Sequence, residues 1–376
     1  MNLSEKLIKF CKDMGFDLVG IVEPDFLKDR LDVLTERRRK GYNSRFENPD
    51  LNLRTSPQLV LPNVKSILVL GLGYYSDVES SPEPLKAQVA RYTRGMDYHL
   101  VMKQKMNKVI EYLKSEEESF EYKALVDSSP LLERFLAEKI GLGWIGQNSC
   151  FYTKATGSWI FLGEILLTIE LGITEVSSVE TGCKNCKVCI KACPTGAIEG
   201  MYTLNPHKCL AYVTQAKEIV PKKLRPLIGS NLMGCDICQE VCPNNKGVSP
   251  NGHKYLEPLD FLDISLKDIL TLTNSKFKQL FSRAAFGWCG KKVLQRNALI
   301  VLGNQKQSDA IHLIEPFLNH EDYKMRVHAA WALGQIGNQQ SKTLLEKSMH
   351  IENHLEVVHE IKDALDKTRE KTPHYT

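Results

Sequence analysis

The chain lacks an apolar run of about eighteen residues, a basic leader ahead of an apolar segment, and a twin-arginine pair in its first residues. Those absences argue against a bilayer-spanning or exported protein and set the expectation of a cytoplasmic one. It has no G-K-S/T phosphate loop, and Gly71-Leu-Gly73 is not completed to G-x-G-x-x-G because Ser76 stands where the third glycine belongs. Nucleotide hydrolysis loses its usual signature, and a nicotinamide site is only weakly supported. Ile190 follows Cys189 where haem attachment needs a histidine. Charge of one sign is scarce too: a net +4 over 376 residues permits a nucleic-acid partner without demanding one. The length predicts two or three domains with sizeable cores.

What the chain does have is cysteine in a pattern. C-x2-C-x2-C-x3-C-P runs through Cys183, Cys186, Cys189, Cys193 and Pro194, and C-x2-C-x3-C-P through Cys235, Cys238, Cys242 and Pro243. Two-residue gaps let one tight loop set three sulfurs around a [4Fe-4S] cube and turn the fourth toward a second cube. Cys209 completes the second set. Crossing the fourth ligands gives Cys183, Cys186, Cys189 and Cys242 for one cube, and Cys193, Cys209, Cys235 and Cys238 for the other. Zinc uses C-x2-C pairs but seldom three cysteines at successive short gaps closed by C-P. Disulfides fit poorly in a chain without a secretory leader. Cys11, Cys150 and Cys289 fall outside both sets and read as small buried hydrophobes.

Hydrophobic periodicity divides the remainder. Residues 1–175 alternate helical and strand-like patterns, with a helix at Leu3 to Phe10 and strands at Ser66 to Tyr75, Tyr122 to Asp127 and Trp159 to Ile169. Helices are expected from Tyr98 to Leu113 and from Leu131 to Ile140, the latter stopped by Gly141 and Gly143. This predicts an α/β domain. Residues 176–250 form a ferredoxin-like section that ends in the turn-rich run Asn244 to Gly252. Residues 251–376 are helical and repeat: Arg296 to Gly303 matches Arg326 to Gly334, with Ala298/Ala329 and Gly303/Gly334 offset alike, and a weaker copy spans Val357 to Leu365. HEAT-like stacking follows, because each helix pair buries its apolar face only against a neighbour.

Three polar positions stand out: Arg54, Asp97, and Asp127 at a strand end, where open α/β sheets bind ligands. Each has a plainer reading. Asp127 can cap the helix near Leu131, Asp97 can cap the one at Tyr98, and Arg54 can be a surface charge. Local sequence leaves these choices open.

The stretches Val126-Asp-Ser-Ser-Pro-Leu-Leu-Glu-Arg134, Ala137-Glu-Lys-Ile-Gly-Leu-Gly-Trp-Ile-Gly-Gln-Asn148 and Gly234-Cys-Asp-Ile-Cys-Gln-Glu-Val-Cys-Pro243 occur together, and with them the chain resembles the epoxyqueuosine reductases over nearly its full length. The resemblance implies a cobalamin-binding α/β domain, a two-[4Fe-4S] ferredoxin-like module and a HEAT-like extension. It implies a base-off cobalamin, consistent with the missing D-x-H-x-x-G, and reduction of epoxyqueuosine to queuosine at the tRNA wobble position by cob(I)alamin fed through the clusters. Asp127 becomes the expected acid, with a pKa raised by burial beside the corrin. Corrin contacts are expected from Arg54, Ala90, Asp127, Phe151, Leu162, Ala211, Cys235 and Asp236, and Asp97 is expected to help order the pocket.

For tRNA phosphates the basic residues Lys217, Lys222, Lys223, Arg225, Lys291, Lys292 and Arg296, with Asn297, are the candidates. The chain is expected to be a monomer fed by an electron donor that its sequence does not identify. A corrinoid reductive dehalogenase is the alternative enzyme, disfavoured by the missing twin-arginine leader and by the repeats. A ferredoxin-like carrier, which would bind no corrin, is the alternative of another class.

Overall fold

A computed structural model describes all residues except 26, 79–84, 175–178, 251, 252, 258, 260–264 and 371–376. The expected joins near 175 and 250 therefore fall at or beside residues outside the description, as do Asn251 and Gly252 of the turn-rich run. The chain packs as two compact units that are interleaved in sequence. One comprises Met1–Asp77, Gly95–Cys209 and Asp236–Glu257; the other comprises Val78–Arg94, Leu210–Cys235 and Pro258–Thr376.

In the first unit, helix α1 (Leu3–Asp13) leads into strand β1 (Leu18–Val22), followed by α2 (Lys28–Arg39), β2 (Ser66–Gly73), α3 (Tyr98–Glu116), β3 (Tyr122–Leu125), α4 (Glu133–Lys139) and β4 (Ile160–Leu167). The sheet order is β1-β2-β4-β3. Every pairing in it is antiparallel, with Val69 opposite Glu164 and Glu164 opposite Leu125. The strand-end rule for parallel sheets therefore does not place Asp127. β2 is buried at every position, which explains its unbroken apolar sequence: a strand covered on both faces has no reason to alternate. On one face Leu136 and Ala137 of α4 join Val69, Phe151, Leu162 and Leu166 in a single apolar cluster. The ferredoxin-like loops carry short helices at Val188–Ala192 and Ile237–Glu240 that pack on one another.

The second unit is built on the repeats. Helices α5 (Leu210–Gln215), α6 (Lys291–Gln305), α7 (Tyr323–Ile336), α8 (Gln339–Ile351) and α9 (Leu355–Glu370) share one apolar core. Polar side chains of α6 draw in the two sequence-distant segments. Arg296 donates to the carbonyls of Val213, Thr214, Ala216 and Glu218, and Asn297 donates to those of Thr214 and Leu232, both at 2.7 Å. Gln305 binds the backbone of Leu85 and Lys86. Backbone groups of irregular segments need partners when buried, and here one helix supplies them.

The repeat offset has a packing cause. A Cβ on Gly303 would meet Ala332, and one on Gly334 would meet Ala364, at 2.6 Å to its Cβ and 2.9 Å to its Cα. Each glycine admits the backbone of the next helix. Gly334→Val should therefore lower stability by about 1–3 kcal/mol through overpacking, measured as a lower urea midpoint for this unit.

Candidate active site

The turn after β3 carries the site. Ser128 N–H closes on the Val126 carbonyl at 2.6 Å, and Asp127 sits at the tip with φ +49°. A left-handed backbone at a residue with a Cβ costs on the order of 1–2 kcal/mol, and such strain concentrates at functional positions. Asp127 does not cap the following helix: the N-cap of α4 is Leu132, with no side-chain bond. Its carboxyl, 57% exposed, faces His99 Nε2 at 3.4 Å and also bonds with Tyr98.

His99 is oriented from its other side. Asp97 Oδ1 accepts the His99 backbone N–H at 3.0 Å and lies 2.7 Å from Nδ1, so Asp97 caps α3 and clamps the imidazole with one oxygen. Burial would push His99 down, but its hydrogen bonds to Asp127 and Asp97 outweigh that and raise it to about 9. Burial would likewise raise Asp127, yet the hydrogen bonds from His99 and Tyr98 and the charges of His99 and Arg134 hold it below the usual carboxylate value. This is the state of the ligand-free chain; the expected rise of the Asp127 pKa belongs to burial beside a corrin. The proton of this pair sits on His99, because two carboxylates share one imidazole.

An aromatic wall adjoins the pair. Tyr74 stacks on Phe161 at 4.2 Å, Phe161 on Tyr98 at 4.0 Å, and Tyr98 on His99 at 4.1 Å. Behind the turn lie two acids that local sequence did not single out. Glu133 accepts the Asp127 backbone N–H, and burial together with the charges of Glu164 and Asp127 raises it well above its ordinary value. Glu164, on β4, accepts from Ser129 Oγ at 2.9 Å. A signal for Glu164 existed: it is the one charge in the otherwise apolar strand Ile160–Leu167.

The remaining expected contacts divide between the units. Arg54 is no loose surface charge; it is largely buried and bonds Glu47 at 2.6 Å, with Arg134 close enough to lower it electrostatically. Phe151 and Leu162 pack in the core beside α4. Asp236 is buried in the first unit. In the second unit, Ala90 N–H bonds the Met233 carbonyl at 2.8 Å, Ala90 lies against Gly234 beside Cys235, and Ala211 stands on α5, which packs on the short strand Asn231–Met233.

Among the thiols, Cys189 lies near Cys238, Cys242 and Cys183, and burial together with those neighbours pushes it up to about 11. Such sulfurs stay protonated near neutrality unless a polycation replaces the protons, as an iron–sulfur cluster does. Burial would also raise Cys193, but bonds from Thr195 and from backbone N–H groups, among them Ala197 at 3.3 Å, hold it below the ordinary thiol value. Among the described residues no three His, Cys, Asp or Glu side chains surround a point able to hold a single metal ion; a four-iron cube asks for a wider cage of sulfurs. Cys150, given no role from sequence, shares a side-chain hydrogen bond with the Cys238 thiol.

The basic candidates for tRNA need three corrections. Arg296 is 3% exposed and Asn297 fully buried, both committed to backbone carbonyls. Arg225 is 2% exposed, paired with Glu360 at 3.0 Å and lying over the Trp331 ring. None of the three can reach a phosphate without unmaking the repeat core. Lys217, Lys222, Lys223 and Lys292 are exposed and Lys291 half-buried. Lys222 pairs with Asp363, and Lys292 with Glu321 and Asp322.

Comparison with known proteins bears on all of this. Residues 54–128 match the family model described as epoxyqueuosine reductase QueG, DUF1730; residues 182–245 match a 4Fe-4S double cluster binding domain, and 289–366 match HEAT repeats. The epoxyqueuosine reductase of Bacillus cereus is 35% identical, with 98% of each chain covered, and that of Escherichia coli is 30% identical, with 92% of each covered. The chain belongs to the epoxyqueuosine reductase family. A crystal structure of such a reductase with a modified tRNA-Tyr stem loop superposes with a TM-score of 0.93 at 33% identity, covering 98% of this chain and 99% of that one. A Bacillus subtilis reductase, TM-score 0.92 at 33% identity and covering 97% and 98% of the two chains, was solved with its catalytic aspartate loop swung out of the active site. No described helix is long and apolar enough to cross a membrane.

The clamp on His99 predicts a pH dependence. A histidine whose folded pKa is raised stabilises the fold fully below the unfolded value, near 6.5, and loses that contribution as pH rises through about 9. An NMR titration of the His99 ring should place it near 9, and Asp97→Asn should bring it down toward 6.5.

Proposed function

We propose that this enzyme reduces epoxyqueuosine to queuosine at the wobble position of a tRNA anticodon, with a bound cobalamin and two [4Fe-4S] clusters. The reading is carried by one observation: an outward-facing carboxyl on a strained turn, backed by a protonated imidazole and flanked by stacked aromatic rings. The reductase solved with a modified tRNA stem loop supports the substrate class. Removing the epoxide oxygen breaks two C–O bonds, forms a C=C bond, consumes two electrons and two protons, and releases water.

Cobalamin, when bound, supplies a strongly nucleophilic reduced cobalt, and the clusters supply electrons one at a time. The chain's own residues do the rest. Cys183, Cys186, Cys189 and Cys242 would hold one cluster, and Cys193, Cys209, Cys235 and Cys238 the other. Arg54, Ala90, Asp127, Phe151, Leu162, Ala211, Cys235 and Asp236 are the residues assigned to the corrin. Asp127 delivers the proton to the departing oxygen, drawing on His99; covering the exposed carboxyl with an apolar ligand favours its neutral form. The stack Tyr74, Phe161 and Tyr98 holds the His99 ring in place on its far side and gives the site an apolar wall.

Asp127→Asn, which keeps the side chain's shape, should leave iron content intact and cobalamin binding largely so, and slow turnover of epoxyqueuosine-tRNA by at least about 100-fold, the lower end for lost general acid catalysis. Nucleoside analysis after anaerobic reconstitution with iron, sulfide, cobalamin and a strong reductant reads both. Eight irons with no corrin bound would leave an electron carrier in its place, and full activity of the variant would remove Asp127 from the chemistry.

Charge reversal at Lys291 and Lys292 should weaken tRNA binding and flatten its dependence on salt, since each phosphate contact releases counterions. Unchanged affinity across a salt series would move the footprint elsewhere.

A further inference from the structure

Glu164 is 1% exposed, in the middle of β4. One of its carboxyl oxygens accepts from Ser129 Oγ, which also takes the Leu131 N–H at 3.1 Å. The other oxygen is buried and has no hydrogen-bond partner. Ser129 lies two residues beyond Asp127, and Glu133 takes the Asp127 N–H. The strained turn is thus pinned from behind at two points, by two carboxyl groups from different elements.

We propose that Glu164 and Ser129, with Glu133, form a latch that seats the turn carrying Asp127, which makes Glu164 a positioning residue for proton delivery. The assignment rests on the reading of Asp127 as the acid. The latch needs a proton on Glu164. A buried carboxylate with one oxygen unpaired is costly, whereas the protonated group is tolerated. The charged groups facing it are the acids Asp127 and Glu133, and Arg134 acts on Glu133 rather than on Glu164. His99 meets Asp127 only from the far side. Lys123, on the same face of β3, spends its ammonium on the Val60 carbonyl. The β2 residues Ile67, Val69 and Gly71 and the α4 residues Leu136 and Ala137 add no charge.

Ionisation of Glu164 therefore places a buried negative charge beside Asp127 with one of its oxygens unpaired. Water can relieve it by entering where Ser129 sits, and the turn opens. Burial, only partly offset by the Ser129 bond, raises Glu164 to about 8, so opening sets in as the solution turns alkaline.

Two readouts test this. Turnover should fall as pH rises through about 8 in the native enzyme. In E164Q, which keeps an acceptor for Ser129 but cannot ionise, the alkaline limb should move to higher pH. Hydrogen exchange of the peptide covering 126–131, corrected for intrinsic rates and measured without substrate, should rise across the same lower pH range in the native chain and stay flat there in E164Q. S129A should raise exchange at every pH and lower kcat roughly fivefold to tenfold, the scale of one lost hydrogen bond.

An exchange profile flat through about 8 in the native chain, or an E164Q limb that coincides with the native one, overturns the latch. If E164Q does not fold, unchanged exchange and unchanged kcat in S129A overturn it alone. The reading of Asp127 fails separately: D127N with full activity sinks the acid while leaving the exchange step in place.

Discussion

One proton held on His99 between two carboxylates is the interaction on which the site depends. His99 is the second residue of α3, where the positive end of the helix dipole opposes an imidazolium. A single acid on a mobile turn would leave that opposition largely unanswered. Asp97 answers it from within the helix start, accepting both the backbone N–H and Nδ1 through the same oxygen. Capping and catalytic organisation are therefore one role at this residue, because the oxygen that ends the helix also fixes the ring that faces Asp127.

The elements that read clearly in the sequence are those whose periodicity comes from burial on defined faces. β2, β4 and α3 were expected within a few residues of where they lie, and the glycine and alanine offsets of the tail reappear as helix-on-helix contacts. β1 gave little signal, since five buried residues are too short to distinguish a strand from a piece of helix. The interleaving of the two units was illegible for a different reason. It depends on side chains such as Arg296 and Gln305 binding backbone carbonyls and amides, and backbone partners leave no mark in composition.

The same distinction explains which site residues could be found. Cysteine spacing announces its chemistry because the ligands are sequence-local. Asp127 stood at a strand end and was visible as a candidate. His99, Glu133 and Glu164 reach it from a helix start, a helix start and a neighbouring strand, so their convergence is tertiary. Among the basic residues, a run such as Lys291-Lys292 and the buried Arg296 look alike on paper. What separates them is a face of α6: the first two open the helix beside acids at Glu321 and Asp322, while Arg296 lies a turn further along, against the carbonyls of the segment containing α5.

The low pKa of Asp127 in the ligand-free chain bears on how proton delivery is controlled. An acid protonated in the free enzyme would carry its proton whether or not a substrate was present. Here the carboxyl is exposed and ionised, and the proton is stored one hydrogen bond away on an imidazole. Water solvates the Asp127 carboxylate, and that solvation is what a bound ligand removes. Loss of water disfavours the separated His99 cation and Asp127 anion relative to the neutral pair, so the proton shifts toward the residue that faces the substrate. Under the proposed role of Asp127, proton donation is thereby tied to occupancy of the site.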